Sequence, residues 1–230
     1  MIYTVIVDIL DFCNFYNKRD CHIAWQPLSL IPDEIIKYIK SANSNEVKME
    51  RFAAYSALFI ALKEFFGKTE LVLERSEHGK PYLVENGVKS NIGISLSHSK
   101  GLAVISISDN FEIGVDIQAE INKDTALRLE KRFFEDVKIK SQKLDTKLFL
   151  LDAELKLQNI YEADNVKAEE SKNESFTTKW AFSEAVIKCI GNGFLSASRV
   201  RELSPKTKTQ IYEIKHKTNT YALVIAKKRL

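Results

Sequence analysis

Hydrophobic residues alternate with small polar ones at strand spacing from Asn91 to Gln118. Ile92, Ile94 and Leu96 interleave with Gly93, Ser95 and Ser97, and Val104, Ile105 and Ile107 resume the pattern after Ser99-Lys100-Gly101. Asp109-Asn110 interrupts it and Ile113 to Ile117 restores it. Period-two alternation punctuated by Gly, Asn and Asp predicts three successive sheet strands. Two features break the apolar texture: Ser97-His98-Ser99 at a bend, and Asp116 inside an apolar run. A carboxylate at such a place is costly unless it is paired or bound to a metal.

Elsewhere the period changes. Phe52, Tyr55, Phe59, Leu62 and Phe66 recur at spacings of three and four within Glu46–Phe66, which predicts a long helix stopped by Gly67. Phe176 to Ile190 predicts a second helix, ended at Gly191-Asn192-Gly193. Met1 to Leu10 reads as an opening strand, Asp11 to Pro27 with Trp25 as irregular, and Pro32 to Lys40 as a short helix. Leu71–Glu74 and Pro81–Val84 read as short strands. In the second half, Asp124–Val137 reads as helix. Leu148–Glu170 reads as helix-forming, turning polar enough for loop from Ala163 to Glu174. Phe194–Val200, Gln210–Lys215 and Tyr221–Lys227 read as a meander.

Each half therefore offers a long helix and several strands. The expectation is an α+β fold of two similar, pseudo-twofold-related subdomains, each a small, mainly antiparallel sheet against a long helix. The boundary falls near residue 110, giving 1–110 and 111–230, with a cleft between the two.

At 230 residues, 45% hydrophobic and 28% charged, the chain has the composition of a soluble protein with real cores. No apolar run reaches membrane-spanning length, and the N-terminus lacks a basic leader with a long apolar segment. Cys13, Cys21 and Cys189 offer no disulfide framework and suit a reducing cytoplasm. Net charge is only +3, yet from Ser204 onward seven Lys or Arg face one acid, Glu213. That stretch is either a basic docking surface or the wet face of a hairpin.

The chemistry gathers around a few residues. Trp180, Glu184 and Lys188 are four apart and share one helix face, and Asp116 and Gln118 point the same way from one strand. Alone, Glu184 and Lys188 read as a surface ion pair worth a few tenths of a kcal/mol. With Asp116 and the Gln118 carbonyl, Glu184 makes an all-oxygen set that suits Mg²⁺ and not zinc. Arg51, Arg75, Lys80, Ser97, His98, Ser99 and Lys188 supply cations and hydroxyls for phosphate. There is no G-x-S-x-G, no P-loop and no dinucleotide fingerprint.

Four motifs in order carry a resemblance: G-K-P-Y at Gly79–Tyr82, I-S-L-S-H-S at Ile94–Ser99, G-V-D-I at Gly114–Ile117, and W-A-F-S-E-A-V-I-K at Trp180–Lys188. Together they resemble the 4'-phosphopantetheinyl transferases of the larger, two-subdomain, monomeric kind. The resemblance implies transfer of phosphopantetheine from coenzyme A to a serine of an apo acyl or peptidyl carrier protein, with release of 3',5'-adenosine bisphosphate. It implies that Asp116 and Glu184 bind Mg²⁺ and that Arg51, Arg75, Lys80 and His98 lie toward the adenosine phosphates. Lys188 would meet the pyrophosphate. The carrier would present an acidic helix; Phe111 and Phe134 are candidate contacts, though each reads first as a core residue. The chain departs from the family at Gln118, often Glu there, and at Ser183, often Lys. These departures motivate the alternative of a non-catalytic relative that binds carrier protein or coenzyme A. A nucleic-acid-binding module is disfavoured, because no arginine-rich helix or aromatic-basic signature is present.

Overall fold

The computed structural model describes residues 1–18, 29–134, 137–162, 166–171, 174–191 and 197–229. Cys21, Trp25 and the Asn192–Ser196 part of the expected turn and strand lie outside the described residues. The chain opens with β1 (Ile2–Asp8), α1 (Ile9–Lys18), α2 (Asp33–Lys40) and α3 (Asn45–Phe66). Short strands β2 (Val72–Arg75), β3 (Pro81–Glu85) and β4 (Val88–Lys89) follow, then β5 (Ile92–Ser99), β6 (Leu102–Asp109) and β7 (Phe111–Ala119). The remainder is α4 (Lys123–Phe133), β8 (Thr146–Leu151), β9 (Leu157–Asn159), β10 (Val166–Glu170), α5 (Phe176–Ile190), α6 (Ala197–Leu203), β11 (Lys208–His216) and β12 (Asn219–Arg229).

The fold is α+β. One mixed sheet has the order β5-β6-β1-β8-β9, a second has the order β10-β11-β12-β7, and β2-β3-β4 form a small third. The alternation along β1 sets the layers. Val5 and Val7 pack with α3, whereas Ile2 and Ile6 join Val104, Val115, Leu148 and Leu223 in a core between the two larger sheets. On the far face of the second sheet, Val224 and Ala226 pack with Ala185, Val186 and Cys189 of α5. Helix, sheet, sheet and helix thus stack in that order.

Ser44 caps α3 by accepting from the Val47 amide at 3.2 Å, and Gly67 ends it at φ 64°. The side chains from Phe52 to Leu62 are all buried, so α3 is enclosed rather than amphipathic. Its extra cover comes partly from α1, where an irregular segment was expected. The Asp8 carboxylate accepts from the Asp11 amide at 2.9 Å and starts that helix, and Phe12 and Cys13 are buried against α3's core.

Two further expectations are overturned. The described part of Leu148–Glu170 holds β8, β9, a 3-10 turn at Ile160–Glu162 and β10 rather than one helix: β8 lies parallel to β1 from Ile2↔Thr146 to Val7↔Leu151, burying Leu148, Leu150 and Leu151. Pairing beside a buried strand outweighs the helix preference of leucine. β8 and β9 therefore complete a sheet begun by the first 110 residues. Ala197–Leu203 is a helix, so the C-terminal meander reduces to the β11–β12 hairpin, which is joined by β10 and β7. That hairpin carries most of the basic C-terminal stretch, and Lys206, Lys215 and Lys217 pair with Glu202, Glu213 and Asp8. Among the described residues no helix is long and apolar enough to cross a membrane.

Candidate active-site cleft

The edge strands β5 and β7 are joined by side chains. Ser95, Ser97 and Ser99 share one face of β5, turned to β7. Ser95 Oγ accepts from the Val115 amide at 3.0 Å and Ser99 Oγ from the Ala119 amide at 3.1 Å. Between them Ser97 Oγ donates to Asp116 Oδ1 at 2.6 Å. Gly93 continues this face, where a Cβ would overlap the Phe111 carbonyl. The serines of I-S-L-S-H-S thus tie the two sheets where no ladder does, and only Ser97 reaches a charged group.

α5 crosses β7 at Gly114, where any Cβ would overlap the Ala185 carbonyl and the Cys189 amide. This close approach sets Glu184 and Lys188 beside Asp116. The buried Asp116 also accepts from Lys188 Nζ at 2.7 Å, and Lys188 lies 3.1 Å from Ser97 Oγ. Lys188 thus turns across to the strand instead of making the surface pair that the helix spacing alone suggests. Burial raises the Glu184 carboxyl above its ordinary range; Lys188 opposes the shift and Asp116 adds to it.

These groups open onto a cleft of about 460 Å³. Its lining includes Arg51, Arg75, Lys80, Ser97, His98, Glu184 and Lys188, drawn from α3, β2, β5, α5 and the β2–β3 turn. Asp116 lies behind Ser97 and Lys188. Gln118 stands apart from that lining and its amide donates to the Ala119 carbonyl at 3.1 Å and toward Ser99 at 3.5 Å. Lys80 donates to Glu112 and to the Cys189 carbonyl near the end of α5, so its charge is already engaged. His98 Nδ1 lies 3.3 Å from Glu50. Arg51 donates to the Tyr38 carbonyl at 2.8 Å, and Arg75 to the Gly79 carbonyl at 3.0 Å and the Tyr55 hydroxyl at 2.7 Å.

Sequence reasoning missed Tyr38, Tyr55 and Glu50 in this lining. The only signal for Tyr55 was its place on the α3 stripe, which reads as core. Ser183 is fully buried and donates back to the Lys179 carbonyl at 2.7 Å, so it faces packing rather than the cleft. Phe134 is also core, edge-on to Phe176 and Trp180, which removes it as a docking contact. Phe111 is half-buried, with Lys227 4.5 Å from its ring centre. The free thiols of Cys13 and Cys189 are buried, which pushes both up to about 12.

Among the described residues no three His, Cys, Asp or Glu side chains group as a metal site. Glu184 and Glu50 line the cleft and Asp116 lies behind it; of these Glu50 sits by His98, which leaves Asp116 and Glu184 as the carboxylates on the Lys188 side. This is a hard, oxygen-only pair that fits an ion such as Mg²⁺, which keeps waters and binds substrate phosphate through one or two carboxylates.

No protein-family model matches the chain. It is 24% identical over 181 residues to the 4'-phosphopantetheinyl transferase gsp of Aneurinibacillus migulanus, covering 71% of this chain and 64% of that protein. It is likewise 24% identical over 131 residues to the 4'-phosphopantetheinyl transferase HetI of a Nostoc species, covering 57% of this chain and 46% of that one. The chain is thus a distant homologue of phosphopantetheinyl transferases, and the matches span less than two thirds of either relative.

Proposed function

We propose that this protein transfers 4'-phosphopantetheine from coenzyme A to a serine of an apo acyl or peptidyl carrier protein. The observation that carries the reading is one cleft lined by Arg51, Arg75, Ser97, His98, Glu184 and Lys188, with Asp116 directly behind. Cations for a polyphosphate and carboxylates for a metal and a proton meet there. The distant homology to two transferases points the same way. A two-subdomain division near residue 110, a monomeric state and a cytoplasmic location belong to the same reading.

In this reaction the serine oxygen attacks the β-phosphorus of coenzyme A. The new O–P bond forms as the bond to the bridging oxygen breaks, and 3',5'-adenosine bisphosphate departs. Glu184 takes the serine proton. Lys188 offsets charge growing on the phosphate oxygens, and Ser97 and Lys188 hold the Asp116 carboxylate in place. Asp116 and Glu184 would hold Mg²⁺, which would supply further stabilisation of that charge. Arg51 and Arg75 bind the adenosine end. Gln118 donates through its amide to Ala119, and its carbonyl would be a neutral third oxygen beside the two carboxylates, so Gln118→Glu is expected to lower the Mg²⁺ requirement.

Intact mass of an apo carrier protein after incubation with this protein, coenzyme A and Mg²⁺ tests the reading. The expected result is a phosphopantetheine-sized gain that disappears without metal or in Asp116→Ala. No gain on fatty-acid, polyketide and peptidyl carriers, with the protein folded, would leave a non-catalytic binder of coenzyme A or carrier.

A further inference from the structure

Lys80 bridges parts of the cleft that are far apart in sequence. It closes the β2–β3 turn, where its amide donates to Ser76 Oγ at 3.2 Å and its carbonyl accepts from the Ser76 amide at 2.9 Å. From that fixed base its ammonium reaches the Glu112 carboxylate of β7 and, at 2.6 Å, the Cys189 carbonyl of α5. Cys189 is the last residue but one of α5. The last four carbonyls of a helix have no amide of that helix to accept from, and a cation there also meets the negative end of the helix dipole.

The stem of Lys80 is held as closely as its head. Gly191 ends α5 at φ 77°, and a Cβ on it would come 2.7 Å from Lys80 Cδ, so the glycine makes room for the lysine chain to cross the helix end. Glu112 is fixed in turn, because its backbone carbonyl accepts from Cys189 Sγ at 3.3 Å. Burial works to raise the Glu112 carboxyl, but Lys80 and Lys89 outweigh it and hold it below the usual range. Lys188 immediately precedes Cys189. The turn of α5 that presents Lys188 to Asp116 is therefore the turn that Lys80 grips from outside the helix.

We propose that Lys80 is a positioning residue: seated on Glu112, it fixes the last turn of α5 against the β2–β3 turn, so that Lys188 keeps its place beside Asp116. Its effect on the reaction passes through Lys188 and not through a phosphate held by its own ammonium. The consequence for the reaction rests on the transferase reading. The strut itself rests only on the contacts of Lys80.

The two roles open to Lys80 make opposite demands on Glu112, which is not among the described residues that line the cleft. If the ammonium served phosphate, removing the Glu112 charge would free it and tighten coenzyme A. If it holds α5, the same change loosens the helix end and slows the reaction. The test therefore compares wild type, Lys80→Met, Glu112→Gln and the double variant by amide hydrogen exchange, coenzyme A calorimetry and carrier assays. The Gly191 amide, which donates to the Ile187 carbonyl, should exchange about tenfold faster in each variant. Lys188 acts on charge that grows in the transition state, so kcat should fall about tenfold or more while the Kd for coenzyme A stays within about twofold. The double variant should lose no more than Lys80→Met alone, because both changes remove one bridge. Glu112→Gln keeps the side-chain volume and carries the test should Lys80→Met fold poorly. Wild-type exchange at Gly191 in both single variants would overturn the strut. So would a Glu112→Gln protein that binds coenzyme A more tightly, or a Lys80→Met protein that loses coenzyme A affinity with kcat unchanged. Carrier modification at the wild-type rate in both would discard the positioning role and leave the transferase reading standing. Faster exchange in a protein that modifies no carrier would support the strut and remove that reading.

Discussion

The Lys188 ammonium and the Asp116 carboxylate meet at 2.7 Å, one from α5 and one from β7. Asp116 is buried and Lys188 is about one-third exposed, so the lysine links an inner charge to the cleft. Lys188→Met leaves Asp116 with Ser97 as its remaining donor among the described residues. A buried carboxylate that loses a charged partner costs about 1–3 kcal/mol. Urea unfolding should show that loss without metal and a partial recovery when Mg²⁺ is added, because a divalent cation binding only the folded form stabilises it. A loss of equal size in both conditions would show that Asp116 does not take the ion.

Glu184 should make the folded state less stable as pH rises. Burial raises its carboxyl, Asp116 adds to the shift and Lys188 opposes it. The folded chain therefore holds this proton more tightly than the unfolded chain does. Stability falls as pH climbs from the ordinary glutamate value of about 4.3 through the higher folded one. Glu184→Gln removes the charge that burial penalises. Its stability relative to wild type should be greatest at neutral pH and shrink toward pH 4, while carrier modification falls about a hundredfold or more. A stability difference independent of pH would contradict this account.

Asp8 should do the opposite, far from the cleft. Burial works to raise its carboxyl, but the Asp11 amide, Lys217 and His216 outweigh it and hold it below the usual range. His216 Nε2 lies 2.6 Å from Asp8 Oδ2 and Lys217 Nζ 2.7 Å from the same oxygen, which fastens the β11–β12 turn to the start of α1. A depressed folded carboxyl contributes stability that is present above the unfolded value and lost as pH falls through the folded one. Asp8→Asn should cost about 1–3 kcal/mol at pH 7 and less at a pH well below the ordinary aspartate value of about 3.9. Denaturant titrations at the two pH values decide it.

The contrast between Asp116 and the serines of β5 shows how far the sequence could be read. A carboxylate in an apolar strand announces a partner, and among the described residues Asp116 meets Ser97 and Lys188. The periods of α3, α5 and β5 to β7 were likewise legible, because each exceeds a single turn or hairpin in length. Ser95 and Ser99 were not legible as inter-sheet ties, since the backbone amides they serve belong to β7 and carry no sequence signal. The Leu148–Leu151 strand was hidden for the same reason: leucine favours helices, and only the neighbouring β1 makes it a strand. Lys80 lines the cleft, but its bonds to Glu112 and the Cys189 carbonyl carry no sequence signal. Tyr38 gave no signal, because Arg51 and Arg75, which meet its ring, lie 13 and 37 residues away in sequence.

Gly114 shows the same limit from the other side. In G-V-D-I a glycine beside an aspartate suggests close approach of backbone or ligand, and the structure shows backbone: α5 lies against it. Gly114→Ala would drive a methyl group into the Ala185 carbonyl and the Cys189 amide, neither of which can turn aside as a side chain can. Overpacking against backbone costs about 3 kcal/mol, at the upper end for inserted methyl groups. Relief requires α5 to move off β7, taking Glu184 and Lys188 from Asp116. The variant should therefore lose carrier modification by a larger factor than its fraction unfolded explains, measured by intact mass at a temperature where circular dichroism shows it folded. A folded Gly114→Ala protein with wild-type activity would show that α5 can shift without disturbing the Asp116–Lys188 pair.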